Sequence, residues 1–164
     1  MSNDALQRAI EVLKIDDVFV NTSSCTLIEG FDPKFDARAD NLAFQTKNLV
    51  HSSEVIEGEI DGEPFVIFRV RSDLGVRIAC KGQFDEGIED PEVLAILEAV
   101  MYADYKVSDI EILGDQDALN TFALNNAPYH VWPYWREYVT SQLIRMNMPK
   151  LVLPMFLRAS NRDQ

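Results

Sequence analysis

The sequence contains few cysteines and no long apolar run. Cys25 and Cys80 are its two cysteines among 164 residues, and they form no Cys-x-x-Cys pair, which argues against a disulfide framework and favours a reducing compartment. No apolar stretch approaches the roughly 20 residues that a membrane-spanning helix needs. Residues 1–14 carry charges among their apolar residues and lack the apolar centre of a signal peptide. We therefore expect a cytoplasmic protein without direct membrane insertion.

Basic residues are scarce relative to acidic ones. The chain has 15 lysines and arginines against 27 aspartates and glutamates, which gives a formal net charge of −12. Such a charge repels a phosphate backbone and an anionic membrane surface. Nucleic acid is therefore not expected as a partner.

Motifs of catalysis are missing as well. The sequence contains no dinucleotide or P-loop glycine signature, no G-x-S-x-G elbow and no metal-ligand pair at tetrahedral spacing. The acidic stretch 83–92 lacks the alternate ligand positions of a calcium loop and is typical of a solvated loop. Around His51 and His130 no nucleophile, base and carboxylate are signalled together. We expect no catalytic residue, no metal and no cofactor, and hence a protein that is not an enzyme.

Alternating apolar residues predict strands over much of the chain. The length and the apolar fraction of 47% suit one domain that spans residues 1–164. Asp61 and Gly62 form a dipeptide that favours a hairpin turn. The first three strands are predicted at 12–21, 42–60 and 64–80.

Two further segments give less direct signals. Residues 22–41 contain Gly30, Pro33 and isolated aromatic residues, which indicates an irregular crossing segment. Residues 90–107 begin with an Asp-Pro-Glu sequence that is typical of a helix start, but residues 101–107 alternate with a period of two. We predict a strand there, a choice supported by the resemblance described below.

The C-terminal third carries helix signals. Asp115 can cap a first helix, and a second helix is predicted over 132–145 with Pro133 in its first turn. Pro149 marks its stop, and residues 148–164 are expected to form an extended tail. Four strands followed by two helices predict an α+β fold, a four-stranded antiparallel sheet with two C-terminal helices packed on one face.

Two segments of this third resemble the SecB family of protein-export chaperones. Residues 126–137 (NAPYHVWPYWRE) are similar to the segment that opens the family's long helix, with proline, tyrosine, arginine and glutamate at fixed spacing. Residues 148–156 (MPKLVLPMF) resemble the element that follows that helix. The resemblance is strong over 114–156 and architectural over 10–108. It implies a single SecB-like chaperone domain.

The resemblance implies self-assembly as a dimer of dimers, in which the long helices pair inside a tetramer. On this chain the corresponding helix residues are Trp132, Tyr134, Trp135, Tyr138 and Gln142.

The resemblance also implies a function. Members of the family are ATP-independent chaperones that hold unfolded or precursor polypeptides in exposed apolar grooves and keep them competent for the Sec export pathway. Several apolar residues of this chain stand in irregular or edge positions, where exposed apolar surface is typical of binding sites. The candidate groove residues are Phe31, Phe35, Phe44, Met155 and Phe156.

The motor protein SecA is a candidate partner on the same grounds. In exporting members, acidic residues on the outer sheet face contact SecA, and these positions fall on Asp17 and Glu98, with Ile96 beside Glu98. Another acidic position falls on Asn21, and residues 157–164 carry two arginines in place of an acidic tail. Both departures put delivery to SecA in doubt and leave the expected client-holding body unchanged.

Two other functions stay open. Some family members guard an antitoxin, so this chain could serve one dedicated client, which predicts tight binding of a single sequence. A small-ligand-binding α+β protein would instead use the sheet–helix interface as a closed apolar pocket and would be a monomer or dimer.

Overall fold

A computed structural model describes residues 2–156 and 158–161 of the chain. Short 3₁₀ helices occupy Ala37–Asp40 and Ile110–Gly114. The helices and strands are, in chain order, α1 Ser2–Val12, β1 Leu13–Leu27, β2 Leu42–Ile60, β3 Glu63–Cys80, β4 Val93–Val107, α2 Gln116–Asn125, α3 Ala127–Arg145 and β5 Ser160–Asn161.

The strands form one sheet in the order β1-β4-β3-β2-β5. Strands β1 to β4 pair antiparallel, and the short β5 adds to β2 in parallel. Asp61 and Gly62 close the β2–β3 hairpin with positive φ angles of 53° and 82°, the backbone that an Asp-Gly hairpin turn adopts. The predicted α+β fold, with a four-stranded antiparallel sheet and two C-terminal helices, is confirmed.

The long strands have an inner face, on which α2 and α3 pack, and an outer face on the opposite side of the sheet. The inner face meets α2 and α3 through ring contacts such as Tyr105 with Phe122 and with His130. From Ala95 to Tyr105 the inner side chains of β4 are at most 5% exposed, and the outer ones of the strand include Glu98 and Lys106. The side of α3 that packs inward consists of Ala127, Pro128, Val131, Trp132, Trp135, Val139 and Leu143.

Strand β4 forms although its first residues carry helix signals. It lies inside the sheet and pairs with β1 on one side and with β3 on the other. Two sets of backbone hydrogen bonds and the burial of its inner side chains outweigh the helix propensity of its N-terminal half. The prediction of a strand here is confirmed.

One element near the N-terminus was not predicted, and one boundary was wrong. Helix α1 packs against α2, with an ion pair of 2.6 Å between Arg8 and Asp115. Its buried residues are the small Ala5 and Ala9, and the larger Leu6 and Val12 pack partly against the core. The helical spacing of these apolar residues is a signal that the sequence analysis missed. Strand β1 continues to Leu27, beyond the predicted end, because residues 22–27 also pair with β4.

The predicted start of the second C-terminal helix was also wrong. Helix α3 begins at Ala127, so Pro128 lies in its first turn and Pro133 lies in its interior. An interior proline costs about 3 kcal/mol because one backbone hydrogen bond is lost. Burial of Trp132 and Trp135 outweighs this cost, since each indole removes about 200 Å² from water, or about 5 kcal/mol.

Helix α3 ends in a hydrogen-bonded motif at Asn147, which has a φ of 55°. The N–H of Asn147 donates to the carbonyl of Ile144 at 3.2 Å, and the N–H of Met148 donates to the carbonyl of Leu143 at 2.9 Å. These bonds form a Schellman motif with asparagine in the left-handed position. The tail that follows has no helix or strand up to Phe156.

Candidate functional site

The predicted SecA-contact residues lie on the outer face of the sheet. Ile96 and Glu98 are two residues apart on β4, and Asp17 lies on the same face of β1. Ile96 is 41% exposed. The carboxylate of Glu98 is 3.9 Å from the ammonium of Lys47, whereas that of Asp17 accepts the backbone N–H of Val18 at 2.8 Å. All three are therefore at an accessible face, with Glu98 already beside a cation.

An aromatic and charged cluster is fixed elsewhere on that face. The guanidinium of Arg69 lies 5.3 Å from the ring centre of Phe19 and 4.7 Å from that of Tyr102. Two of its N–H groups donate to the carboxylate of Asp104, each at 2.7 Å, and Asp104 is 8% exposed. These bonds raise the pKa of Arg69. The cation of Arg69 and the carboxylate of Asp104 therefore neutralise each other within the cluster.

Arg38 stabilises the crossing segment between β1 and β2. Its guanidinium forms ion pairs of 2.6 Å with both Asp36 and Glu92 and lies 5.4 Å from the ring centre of Phe31. The bond from Arg38 lowers the pKa of Asp36. Phe31 is buried, with 6% of its surface exposed, whereas Phe35 is 80% exposed. Of these two predicted groove residues, only Phe35 presents its ring to solvent.

The tail folds back along α3 and brings two further predicted groove residues together. The indole N–H of Trp132 donates to the carbonyl of Pro154 at 2.9 Å. The ring of Phe156 stacks on that of Tyr129 with 3.9 Å between their centres. Met155 points outward and is 80% exposed. Phe156 therefore anchors the tail, and Met155 is available for contact.

Phe44, the remaining predicted groove residue, lies on β2. Its partner across the β2–β3 pair is Ile78 on the inner face of the sheet. Phe44 is half-buried and packs against the core. It is thus placed on a different element from Phe35 and Met155.

A groove of about 650 Å³ separates α3 from the tail. Two of its apolar side chains are largely exposed, Ile144 at 73% and Val152 at 68%. Their signal in the sequence is weak, since Ile144 follows the buried Leu143 of the helical stripe and Val152 precedes the buried Leu153. The lining residues are Pro133, Arg136, Glu137, Thr140, Ser141, Ile144, Lys150, Leu151, Val152 and Leu153.

The residues expected to pair helices between subunits fall on two sides of α3. Trp132 and Trp135 are 1% and 0% exposed, so their side chains belong to the core of this chain. Tyr134 is 52% exposed, and Tyr138 and Gln142 are half-buried. A second copy would therefore meet Tyr134, Tyr138 and Gln142 and would not meet the tryptophans.

The inner face of β1 is only partly covered. The hydroxyl of Tyr138 on α3 lies 3.3 Å from the sulfur of Cys25 on this face. Ile15 and Val20, also on the inner face of β1, are 50% and 39% exposed. Apolar side chains thus remain exposed on the face of β1 that Tyr138 of α3 reaches at Cys25.

His130 is part of the sheet–helix packing. Its Nδ1 is 2.9 Å from the hydroxyl of Tyr105, which is fully buried. Burial lowers the pKa of His130, and burial together with the nearby charge of Asp104 raises the pKa of Tyr105. Both groups are therefore neutral at neutral pH and bond to each other.

Comparison with known proteins gives one line of evidence. No family model matches the chain, and no curated protein sequence matches it. Among solved structures it matches the Mycobacterium tuberculosis Rv1957 SecB-like chaperone, in complex with a ChAD peptide from the Rv1956 HigA1 antitoxin. The TM-score is 0.64 at 17% sequence identity, over 95% of this chain and 99% of that chain.

The chain has a SecB-like fold. The likeness covers 95% of the chain, so the predicted resemblance is confirmed at the level of the fold.

Two further observations concern the part of the chain that the structure describes. Within residues 2–156 and 158–161, no helix is long and apolar enough to cross a membrane. Within the same residues, no three histidine, cysteine or acidic side chains are grouped so as to hold a metal ion.

Proposed function

We propose that the protein is an ATP-independent chaperone that binds unfolded polypeptides. The observation that carries this proposal is the SecB-like fold over 95% of the chain. An unfolded segment that buries apolar side chains on such a surface gains about 25 cal/mol per Å² without any nucleotide. Apolar contacts are nondirectional, which suits clients of many sequences.

The groove between α3 and the tail supports this role. Ile144 and Val152 are 73% and 68% exposed at its walls, and Met155, 80% exposed, follows on the same tail. Exposed apolar side chains that adjoin each other are typical of binding surfaces. Phe35 offers another exposed ring on the crossing segment. Several such patches on one assembly would add avidity.

Suppression of aggregation tests the proposal. We expect the protein, without ATP, to lower light scattering from an unrelated protein diluted out of denaturant. Ile144→Ser combined with Val152→Ser should reduce this effect severalfold. A matched control is Ile110→Ser, because Ile110 is 65% exposed on a different element. Absence of any suppression by the folded wild-type protein would refute the proposal.

We propose that the chain assembles with copies of itself, as a dimer of dimers. The side chains that favour this are the exposed Tyr134 and the half-buried Tyr138 on α3, with the exposed Ile15 and Val20 on the inner face of β1. Burial of these side chains against a second copy would remove apolar surface from water. Light scattering coupled to size-exclusion chromatography measures the mass, and Ile15→Lys with Val20→Lys should shift it toward the monomer.

We propose export as the cellular role, with SecA as the receiving motor. Support comes from the outer-face position of Asp17, Ile96 and Glu98. A cationic partner would have to replace Lys47 beside Glu98. Asp17→Lys with Glu98→Lys should abolish SecA binding and leave suppression of aggregation unchanged. Equal SecA affinity of this variant and the wild type would contradict the assignment.

A second candidate function is that of a dedicated chaperone in a toxin–antitoxin system. The structural neighbour, bound to a peptide from an antitoxin, favours it. A dedicated chaperone would bind one polypeptide far more tightly than an unrelated unfolded protein. Competition between the two for the same chain, measured by fluorescence anisotropy, separates this function from general holding.

A further inference from the structure

The crossing segment between β1 and β2 is fixed at both ends by backbone hydrogen bonds. At its start the N–H of Ile28 donates to the carbonyl of Leu94 at 2.8 Å, and at its end the N–H of Lys81 donates to the carbonyl of Asn41 at 2.9 Å. Between these bonds the chain runs through turns and a short 3₁₀ helix. A segment of this kind depends on side-chain bonds to keep one conformation.

Phe35 lies in a tight turn in the middle of this segment. The N–H groups of Phe35 and Asp36 both donate to the carbonyl of Asp32, at 3.2 and 2.9 Å. The carboxylate of Asp32 accepts the N–H of Lys34 at 2.9 Å. The ring of Phe35 faces outward and is 80% exposed, with the ammonium of Lys34 5.2 Å from its centre. The turn therefore presents an apolar ring to solvent on a constrained backbone.

Arg38 bonds to the chain on both sides of this turn. At the end of the turn, its guanidinium donates to both carboxylate oxygens of Asp36, and the shortest of these bonds is 2.6 Å. Before the turn, it donates to the carbonyl of Gly30 at 3.5 Å and lies over the ring of Phe31. Since Phe31 is buried, Arg38 connects the turn to a fixed part of the segment.

The same guanidinium also reaches a second loop. It donates to the carboxylate of Glu92 at 2.6 Å, in the loop that precedes β4, and the backbone N–H of Glu92 donates to the side chain of Gln83 at 2.9 Å. A single exposed ion pair contributes little, because solvent and salt screen it. Arg38 instead joins two carboxylates, a carbonyl and a ring, and such a network with a bidentate bond keeps its geometry better than an isolated pair.

We propose that Arg38 is a positioning residue for client binding, which holds the crossing segment in the conformation that lets Phe35 contact an apolar side chain of the client. A ring that is already held in place loses less conformational freedom on binding than a ring on a loose loop. Loss of Arg38 should therefore weaken the contact that Phe35 makes. This inference rests on the proposed chaperone function and names a residue that acts through one of its contact sites.

A double-mutant cycle between Arg38 and Phe35 tests the proposal. The variants are Arg38→Ala, Phe35→Ala and the two together. The probe is reduced and alkylated α-lactalbumin that carries a fluorophore, and fluorescence anisotropy measures its affinity. The matched control is Arg8→Ala, because Arg8 also pairs with a carboxylate, that of Asp115, at 2.6 Å, and lies on a different element.

We expect Phe35→Ala to lower the affinity about tenfold, the loss that follows when one apolar ring contact of moderate area is removed. Arg38→Ala should lower the affinity about fivefold when Phe35 is present and less than twofold when Phe35 is already alanine. The control should bind within about twofold of the wild type. Without the probe, hydrogen exchange at the amides of Asp36 and Ala39 should be faster in Arg38→Ala.

Arg38→Lys keeps the charge and loses the bidentate bond. Its affinity should therefore lie between those of the wild type and Arg38→Ala. Circular dichroism checks that each variant is folded, and Arg38→Lys carries the same cycle with Phe35→Ala if Arg38→Ala does not fold.

Three results would overturn the inference while the chaperone function stands. Full affinity of Arg38→Ala would show that the position of Phe35 does not depend on Arg38. An equal loss on Arg38→Ala with and without the ring of Phe35 would show that Arg38 acts independently of it. Unchanged affinity of Phe35→Ala would show that the client does not contact this ring. If the folded wild type does not bind the probe, both the inference and the chaperone function fail.

Discussion

Replacement of Trp135 by alanine tests whether the aromatic start of α3 serves the core of one chain or a contact between chains. Trp135 is fully buried, and its ring stacks on Tyr138 at 5.6 Å between centres. Truncation of a buried tryptophan to alanine costs about 3–5 kcal/mol. A protein of ordinary stability has about 5–15 kcal/mol in total, so the loss should be large.

The size of the effect can be converted to a urea midpoint. With a slope of about 2 kcal/mol per molar urea, Trp135→Ala should lower the midpoint by about 2 M. Trp135→Phe should cost less, because the indole N–H of Trp135 is buried without an acceptor in the described structure, and phenylalanine removes that unpaired donor.

Tyr134→Ala is the matched comparison. Tyr134 is next to Trp135 in sequence and is 52% exposed, so its truncation should change the stability of one chain by less than about 0.5 kcal/mol. Circular dichroism at 222 nm follows unfolding in urea at several protein concentrations. An unchanged midpoint for Trp135→Ala, or a loss that disappears at high protein concentration, would refute the placement of Trp135 in the core.

Three other perturbations follow from the structure. Burial lowers the pKa of His130 in the folded chain. The contribution of His130 to the free energy of unfolding should therefore be constant above about pH 6.5 and decrease as the pH falls from there through the lowered pKa of the folded state. Urea titrations at several pH values should show a smaller decrease for His130→Gln. Asn147 has a φ of 55°, so Asn147→Ala should cost about 1 kcal/mol, whereas Asn147→Gly should not lower the melting temperature. Asp104→Ala leaves Arg69 partly buried without its carboxylate and should cost about 2 kcal/mol in urea unfolding; Lys106→Ala, at an exposed ion pair, should cost under about 0.5 kcal/mol.

The sheet was largely predictable because period-two alternation and turn residues are local signals. Strand β2 has the predicted bounds, and the Asp-Gly pair closes the hairpin as expected. Strand β4 was harder, since its local propensity favours a helix and only pairing with two neighbours decides the outcome.

The helices show the limits of local signals. Helix α1 was missed although Ala5, Leu6 and Ala9 have helical spacing, and a helix of 11 residues depends for its stability on packing, here against α2. Pro133 indicated a helix start because prolines are rare inside helices. In the structure Pro133 lies inside α3, and the burial of Trp132 and Trp135 offsets its cost.

The candidate site was predicted only in outline. Phe35 and Met155 are exposed as a binding role requires, whereas Phe31 lies buried beside Arg38. The sequence does not distinguish an isolated apolar loop residue that faces solvent from one that faces the core. Ile144 and Val152 become notable only when the tail folds along α3 and forms a groove with it.

The most direct test of the account is binding of a permanently unfolded protein without nucleotide. A reduced and alkylated client would be mixed with the chain and resolved by size-exclusion chromatography with light scattering, and hydrogen exchange would map the contact. We expect a complex with protection at the groove between α3 and the tail. No complex, from a chain shown to be folded by circular dichroism, would contradict it.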